Sequence, residues 1–279
     1  MNEIRKVPFG AGAEWLLGGF ALLRKAPLAL GLLGMIWGGL SAAASVSGQL
    51  WLSFLLALAG PILFGGIVYA AREVDQGRAA SPNHLLQGLR DGKALRLLAM
   101  LLPQIAALLL MGVLMLLIVG PEQLQHVNQV LLQMQTNPDP QLVESLPTGR
   151  LLLWLLAVAV VGVVTGFFTF AAIPEVMFTG RAAFAAMALS FRACVRNLGA
   201  LLVMIVLMLI AVFALSLALQ LLGAMLAFAI GARASMFVVQ LLLMAVLLPV
   251  MGGAVYLAWR QMLGDAQATV VSEPHGFEA

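Results

Sequence analysis

Few residues in this chain could do chemistry, and the most provocative is Glu175, directly after Pro174 in an otherwise apolar stretch. A proline withholds its N–H and can kink a helix, which frees a carbonyl nearby. A carboxyl beside it could face a cavity, or pair with an arginine of the segment that follows. The plainer expectation is a glutamate solvated at a membrane surface. Downstream, Arg181, Arg192 and Arg196 fall within about 60° of one another at 100° per residue, an arrangement suited to the headgroups of anionic lipid. Cys194 lies between two of these arginines, which can lower a thiol's pKa. The simpler expectation is a small residue on a helix.

The rest of the inventory argues against catalysis. His84, His126 and His275 fall in separate polar segments, and a single cysteine cannot complete a zinc set. No H-E-x-x-H or G-x-S-x-G pattern occurs. Gly88-Leu-Arg-Asp-Gly92-Lys93 imitates a phosphate loop but is one residue short and lacks the following Ser or Thr. Ion-coupled transporters place ionisable groups deep in their spans. Here mid-span positions carry only neutral polar groups: Gln104, Thr165, Thr169, Ser216, Gln220 and Gln240. The chain is therefore expected to hold no catalytic residue, cofactor or metal, and not to be an enzyme.

What must position these residues is a set of membrane helices. Of 279 residues, 62% are hydrophobic and 10% charged, and mean hydropathy is +1.03. A soluble domain could not hide that much apolar surface, so lipid must replace water around it. Ala26 to Ala71 holds 46 residues without a charge, room for two spans and a turn. The expected architecture is an all-α polytopic bundle over 1–265, with spans near 27–44, 50–71, 97–119, 151–178, 199–222 and 235–259, then a disordered tail over 266–279. Thirteen of the fifteen Lys and Arg residues fall on one side of this threading, leaving Arg150 and Arg233 on the other. By the positive-inside rule both termini are cytoplasmic. The net charge of +3 comes without a dense basic run, so no nucleic-acid partner is expected. The first residues do not form a cleavable signal, since Glu14, Arg24 and Lys25 interrupt what would be its apolar core.

Three cytoplasmic segments read as amphipathic helices lying in the membrane interface. The first presents Trp15, Leu16, Gly19, Leu22, Leu23 and Ala26 on one face. The second starts at Ser81-Pro82 and shows Leu85, Leu86 and Leu89. The third shows Phe184, Met187, Phe191, Val195 and Leu198. Each precedes a span, and Gly-Gly-x-Val-Tyr followed by an arginine recurs at Gly65–Tyr69 with Arg72 and Gly252–Tyr256 with Arg260. Together these suggest a hairpin repeated three times. On the opposite side, Leu124, Val127, Leu131 and Met134 mark a helix begun by Pro121 and stopped by Asn137-Pro-Asp-Pro140, resting on the membrane or on the bundle ends.

Ile173-Pro174, Gly180, Ala186, Ser190-Phe191-Arg192-Ala193-Cys194 and Asn197 resemble a stretch of some uncharacterised bacterial multi-pass inner-membrane proteins. These are related to YciC-like proteins and to the membrane domain accompanying some glycerophosphodiester phosphodiesterases. Arg5-Lys6-Val7-Pro8 with Trp15, Phe20 and Pro27 also resembles the start of one such family. The resemblance implies a helical protein of the bacterial inner membrane and carries no established activity; no phosphodiesterase domain accompanies it. The expected function is a non-enzymatic structural or interaction protein contacting anionic lipid. Its partners would be membrane lipids and a second copy or other membrane proteins. The alternative is a transport or permease component for a neutral or lipid-like substrate.

Overall fold

The structure, a computed structural model, describes residues 4–136, 142 and 144–264. The expected tail over 266–279 and the stop at Asn137–Pro140 lie outside the described residues. Among these residues there is no strand, and six helices are long and apolar enough to cross a membrane. The chain is an all-α, multi-pass membrane protein. It divides into two compact units, one built from residues up to 100 and from 169 onward, the other from 101 to 168.

The discontinuous unit opens with α1 (Ala11–Lys25), α2 (Pro27–Val46) and α3 (Leu50–Asp75). A 3-10 turn over Pro82–Leu86 and the short helices α4 (Gln87–Arg90) and α5 (Ala94–Leu98) follow. The second unit holds α6 (Leu101–Ile118), α7 (Pro121–Thr136) and α8 (Thr148–Thr169, its last residue across the boundary). The chain then rejoins the first unit with α9 (Ala172–Thr179), α10 (Ala183–Arg196), α11 (Leu198–Ile230) and α12 (Ala232–Leu263).

The charge-free runs placed the span starts to within a few residues, and the differences have physical causes. α11 reaches Ile230, past the expected end near 222, because nothing between breaks it. The chain reverses only at Gly231, whose φ of +81° a side chain would resist. At about 1.5 Å per residue a helix of 33 residues is about 50 Å long, well beyond the ~30 Å hydrocarbon core. The third and fourth spans are interrupted. Pro103 has no N–H for the Ala99 carbonyl, and the helix breaks at Ala99–Met100; Pro174 has none for Phe170, and the break falls at Phe170–Ala171.

Within the first unit, close approach of small residues sets the packing, as expected where lipid supplies no hydrophobic drive between helices. A Cβ on Gly12 would strike the Ala200 carbonyl of α11, and one on Gly19 the Val250 carbonyl of α12. α1 therefore lays Trp15, Leu16 and Leu22 against protein, with Trp15 Nε1 donating to Gln261 Oε1. The same device recurs at both Gly-Gly pairs. Gly66 admits the backbone of His84 and Leu85, while Gly253 lies 3.0 Å, measured from an ideal Cβ, from the Gly19 Cα. The second expected amphipathic helix is not one helix. A 3-10 turn over Pro82–Leu86 gives way to α4 at Gln87, which changes the spacing of the stripe; Leu85 enters the core while Leu86 and Leu89 stay exposed.

Candidate functional site

α9 is short, and both of its ends aim Glu175. Its start is set by Pro174, and the Ala171 N–H released at the break donates to Ser190 Oγ of α10 at 2.9 Å. Its end is Gly180 in the left-handed conformation, φ 67°, which returns the chain over the helix. That return brings Arg181 Nε to 2.9 Å from Glu175 Oε1. From α12, Trp259 Nε1 donates to Oε2 at 2.7 Å. Thr179 Oγ1 lies 2.7 Å from the Glu175 carbonyl oxygen and 3.1 Å from Oε1.

The carboxyl has no accessible surface. The expectation of a solvated glutamate is thus overturned: burial forces the carboxylate to find donors, and three side chains supply them. It pairs with an arginine, as the alternative held.

Around this pair the ends of α3, α9 and α12 interlock. The Phe178 ring meets Trp259 at 4.9 Å and Tyr256 edge-on at 6.0 Å between centroids, and the Arg72 guanidinium stands 4.7 Å over it. Such contacts add about 0.5–1.5 kcal/mol each beyond the area they bury. Tyr256 donates its hydroxyl to Asp75 Oδ2 at 3.0 Å, and Arg260 pairs with the same oxygen. Lys93 Nζ donates to the Met177 carbonyl at 2.6 Å, and Arg96 to that of Gly180. These cations occupy carbonyls a helix C-terminus leaves open.

Asn197, buried between α10 and α11, accepts from the Val7 N–H at 2.8 Å and donates to the Arg5 carbonyl at 2.9 Å. The Arg5 N–H in turn reaches the Met262 carbonyl at 3.0 Å. Sequence reasoning missed Asp75, Trp259 and this tether. The signal available was Asp75 itself, an acid at the end of a span with a tyrosine and arginine expected at the end of another.

α10 separates the arginines. Its packed face is small: Ala183, Ala186, Ser190, Ala193 and Cys194 are buried with Met187. Of the expected apolar stripe only Met187 is buried, while Phe184, Val195 and Leu198 are exposed, Phe184 at 71%. Arg192 and Arg196 are exposed on the neighbouring side, and neither has an ion-pair partner among the described residues. Arg181 instead turns inward to Glu175. Burial pushes the Cys194 thiol up to about 12, which makes it an inert packing group.

Gln104, Gln220 and Gln240 are exposed on their helices. Among the described residues no three His, Cys, Asp or Glu side chains gather as a metal would require. The chain matches no family model, no curated protein and no solved structure, so the family resemblance rests on its motif residues alone.

Proposed function

We propose that this is a non-enzymatic structural or interaction protein of the bacterial inner membrane, both termini cytoplasmic, that engages anionic lipid through Arg192 and Arg196. The observation that supports it is the division of α10 into three faces. Small residues pack on protein, Phe184 and Val195 stay exposed and open for acyl chains, and Arg192 and Arg196, without ion-pair partners among the described residues, lie alongside where headgroups would meet them. The alternative of a transport component is weakened, because Glu175, its one ionisable candidate, is sealed by Arg181 and Trp259.

The test is lipid retention on purification from mixed vesicles. Each basic residue near an anionic surface contributes ~1 kcal/mol, so Arg192→Glu with Arg196→Glu should cut retained anionic lipid by at least tenfold. Unchanged retention would remove the reading. Reporter fusions at the C-terminus and within 76–90 should report cytoplasm, and one within 122–136 the opposite side.

A further inference from the structure

A second polar site lies in the first unit, reached from the Glu175 cluster through Tyr256 and Asp75. Between the α1–α2 junction and the end of α3 there is a cleft of about 490 Å³ whose lining includes Lys25, Ala26, Val74, Asp75 and Arg78. Its walls carry both signs of charge, and each charged group has bonding capacity to spare. Lys25 is exposed and has no hydrogen-bond or ion-pair partner among the described residues. Arg78 is held by Glu73, Nε to Oε2 and Nη2 to Oε1, with Nη2 also on Gln76. Its Nη1 is left over. Asp75 receives Tyr256 and Arg260 on Oδ2 alone, so Oδ1 remains without a hydrogen bond among the described residues.

We propose that this cleft binds the head of a phosphatidylethanolamine, its phosphodiester between Lys25 and Arg78 and its ammonium on Asp75 Oδ1. The depth is that of a headgroup, because the charge-free run starts at Ala26 and Asp75 closes the span that ends it. Leu28, 85% exposed at the start of α2, offers apolar surface for an acyl chain. A zwitterion satisfies both walls, whereas an anionic lipid would use the cations and meet the Asp75 carboxylate as a like charge. A primary ammonium carries three N–H donors for Oδ1; the quaternary head of phosphatidylcholine has none. The proposal shares only the membrane setting with the lipid surface on α10 and involves none of its residues.

The test uses the full chain in vesicles of phosphatidylethanolamine, phosphatidylcholine and phosphatidylglycerol, with retained lipid measured after purification. Phosphatidylethanolamine should be retained above phosphatidylcholine relative to its share of the vesicle, the phosphatidylglycerol being held also by the α10 arginines. Lys25→Ala, at an exposed position that leaves packing intact, should cut the phosphatidylethanolamine retained by about fivefold. Asp75→Asn keeps the shape and an acceptor for Tyr256 and should erase the discrimination against phosphatidylcholine. Excess soluble glycerophosphoethanolamine should fail to displace the lipid. Equal retention of the ethanolamine and choline lipids, or phosphatidylethanolamine retention undiminished by Lys25→Ala, would overturn the site. Displacement by the soluble head would overturn its assignment to lipid. Arg192→Glu with Arg196→Glu should leave this preference unchanged, so the two lipid readings fail separately.

Discussion

The two units solve the problem of standing in lipid differently. In the first, buried side chains run through α1, α2, α3 and α12, glycines bring backbones into contact, and buried polar groups such as Glu175 and Asn197 are fully bonded. In the second, Ala107, Val119 and Val130 are the buried apolar residues described, and the span from Thr148 has none of its most apolar window inside protein. What joins its helices is a handful of polar ties: Trp154 Nε1 to the Met111 carbonyl at 3.2 Å, Arg150 to the Val119 carbonyl at 3.3 Å, and His126 to Ser145. Apolar composition alone therefore does not make a core in a membrane. Where helices lack small residues at matching positions, lipid solvates them as well as protein would.

The sharpest way to break this contrast is to add a single Cβ to glycines in each unit. Gly12→Ala or Gly19→Ala forces a Cβ into the backbone of α11 or α12. We expect a loss of folded protein at 37 °C, with more than ~3 kcal/mol of destabilisation for so rigid a clash. Gly112→Ala and Gly162→Ala, where nothing lies within 4 Å, should leave the unfolding midpoint in nanodiscs unchanged or raised. Equal losses in both units would erase the distinction.

Next in size is Arg181→Ala, which strands the buried Glu175 carboxylate. Breaking such a pair costs about 3–5 kcal/mol, and the partial exposure of Arg181, 36%, places the expected loss near the lower figure. Arg181→Ala with Glu175→Gln should recover most of it, which a thermal melt of the double variant would read. In the second unit, Trp154→Phe removes one hydrogen bond and should cost about 1 kcal/mol; a larger loss would reveal packing that burial does not show.

The smallest effect concerns His84, beside the Tyr69 ring at 5.2 Å and accepting the Ser81 N–H on Nδ1 at 3.3 Å. Burial lowers its pKa below the usual 6.5, against a weaker opposing pull from Glu73. The unfolded chain then binds more protons near that value, so stability falls as pH drops through about 6.5 and levels off once the folded form also protonates. His84→Asn should flatten the melting-temperature profile between pH 7 and 5, and an unaltered slope would exclude His84 as its source.

The spans were legible because charge is excluded from hydrocarbon, and a run such as Ala26–Ala71 marks its own limits. α1 was legible because Trp15, Leu16, Gly19 and Leu22 recur at helical spacing. At α10 the stripe reads as facing lipid or the bundle, and Phe184 and Val195 stay exposed; what the pattern did not announce is the other face, where alanines and Ser190 make the contact with protein. The break at Ala99–Met100 was missed although Pro103 announced it, four residues on, as Pro174 announced its own. Glu175 could not have been placed, because its sealing partner Trp259 lies 84 residues away in the chain and nothing local encodes that meeting.

The tether between the chain's two ends has a consequence for biogenesis. Trp15 bonds Gln261 and Arg5 meets Met262, contacts between residues separated by 246 positions in the first case. At synthesis rates of about 5–20 residues per second, α1 waits roughly 10–50 s for the helix that will cover it. Throughout that interval the side of α1 that carries Trp15 and Gly19 lacks the helix it will pack on. The bilayer surface is the available host for such a helix, with Arg24 and Lys25 toward the headgroups. α1 thus emerges well before the helix that locks it, and a ribosome stalled anywhere before α12 leaves an open, lipid-parked intermediate for quality-control proteases to find.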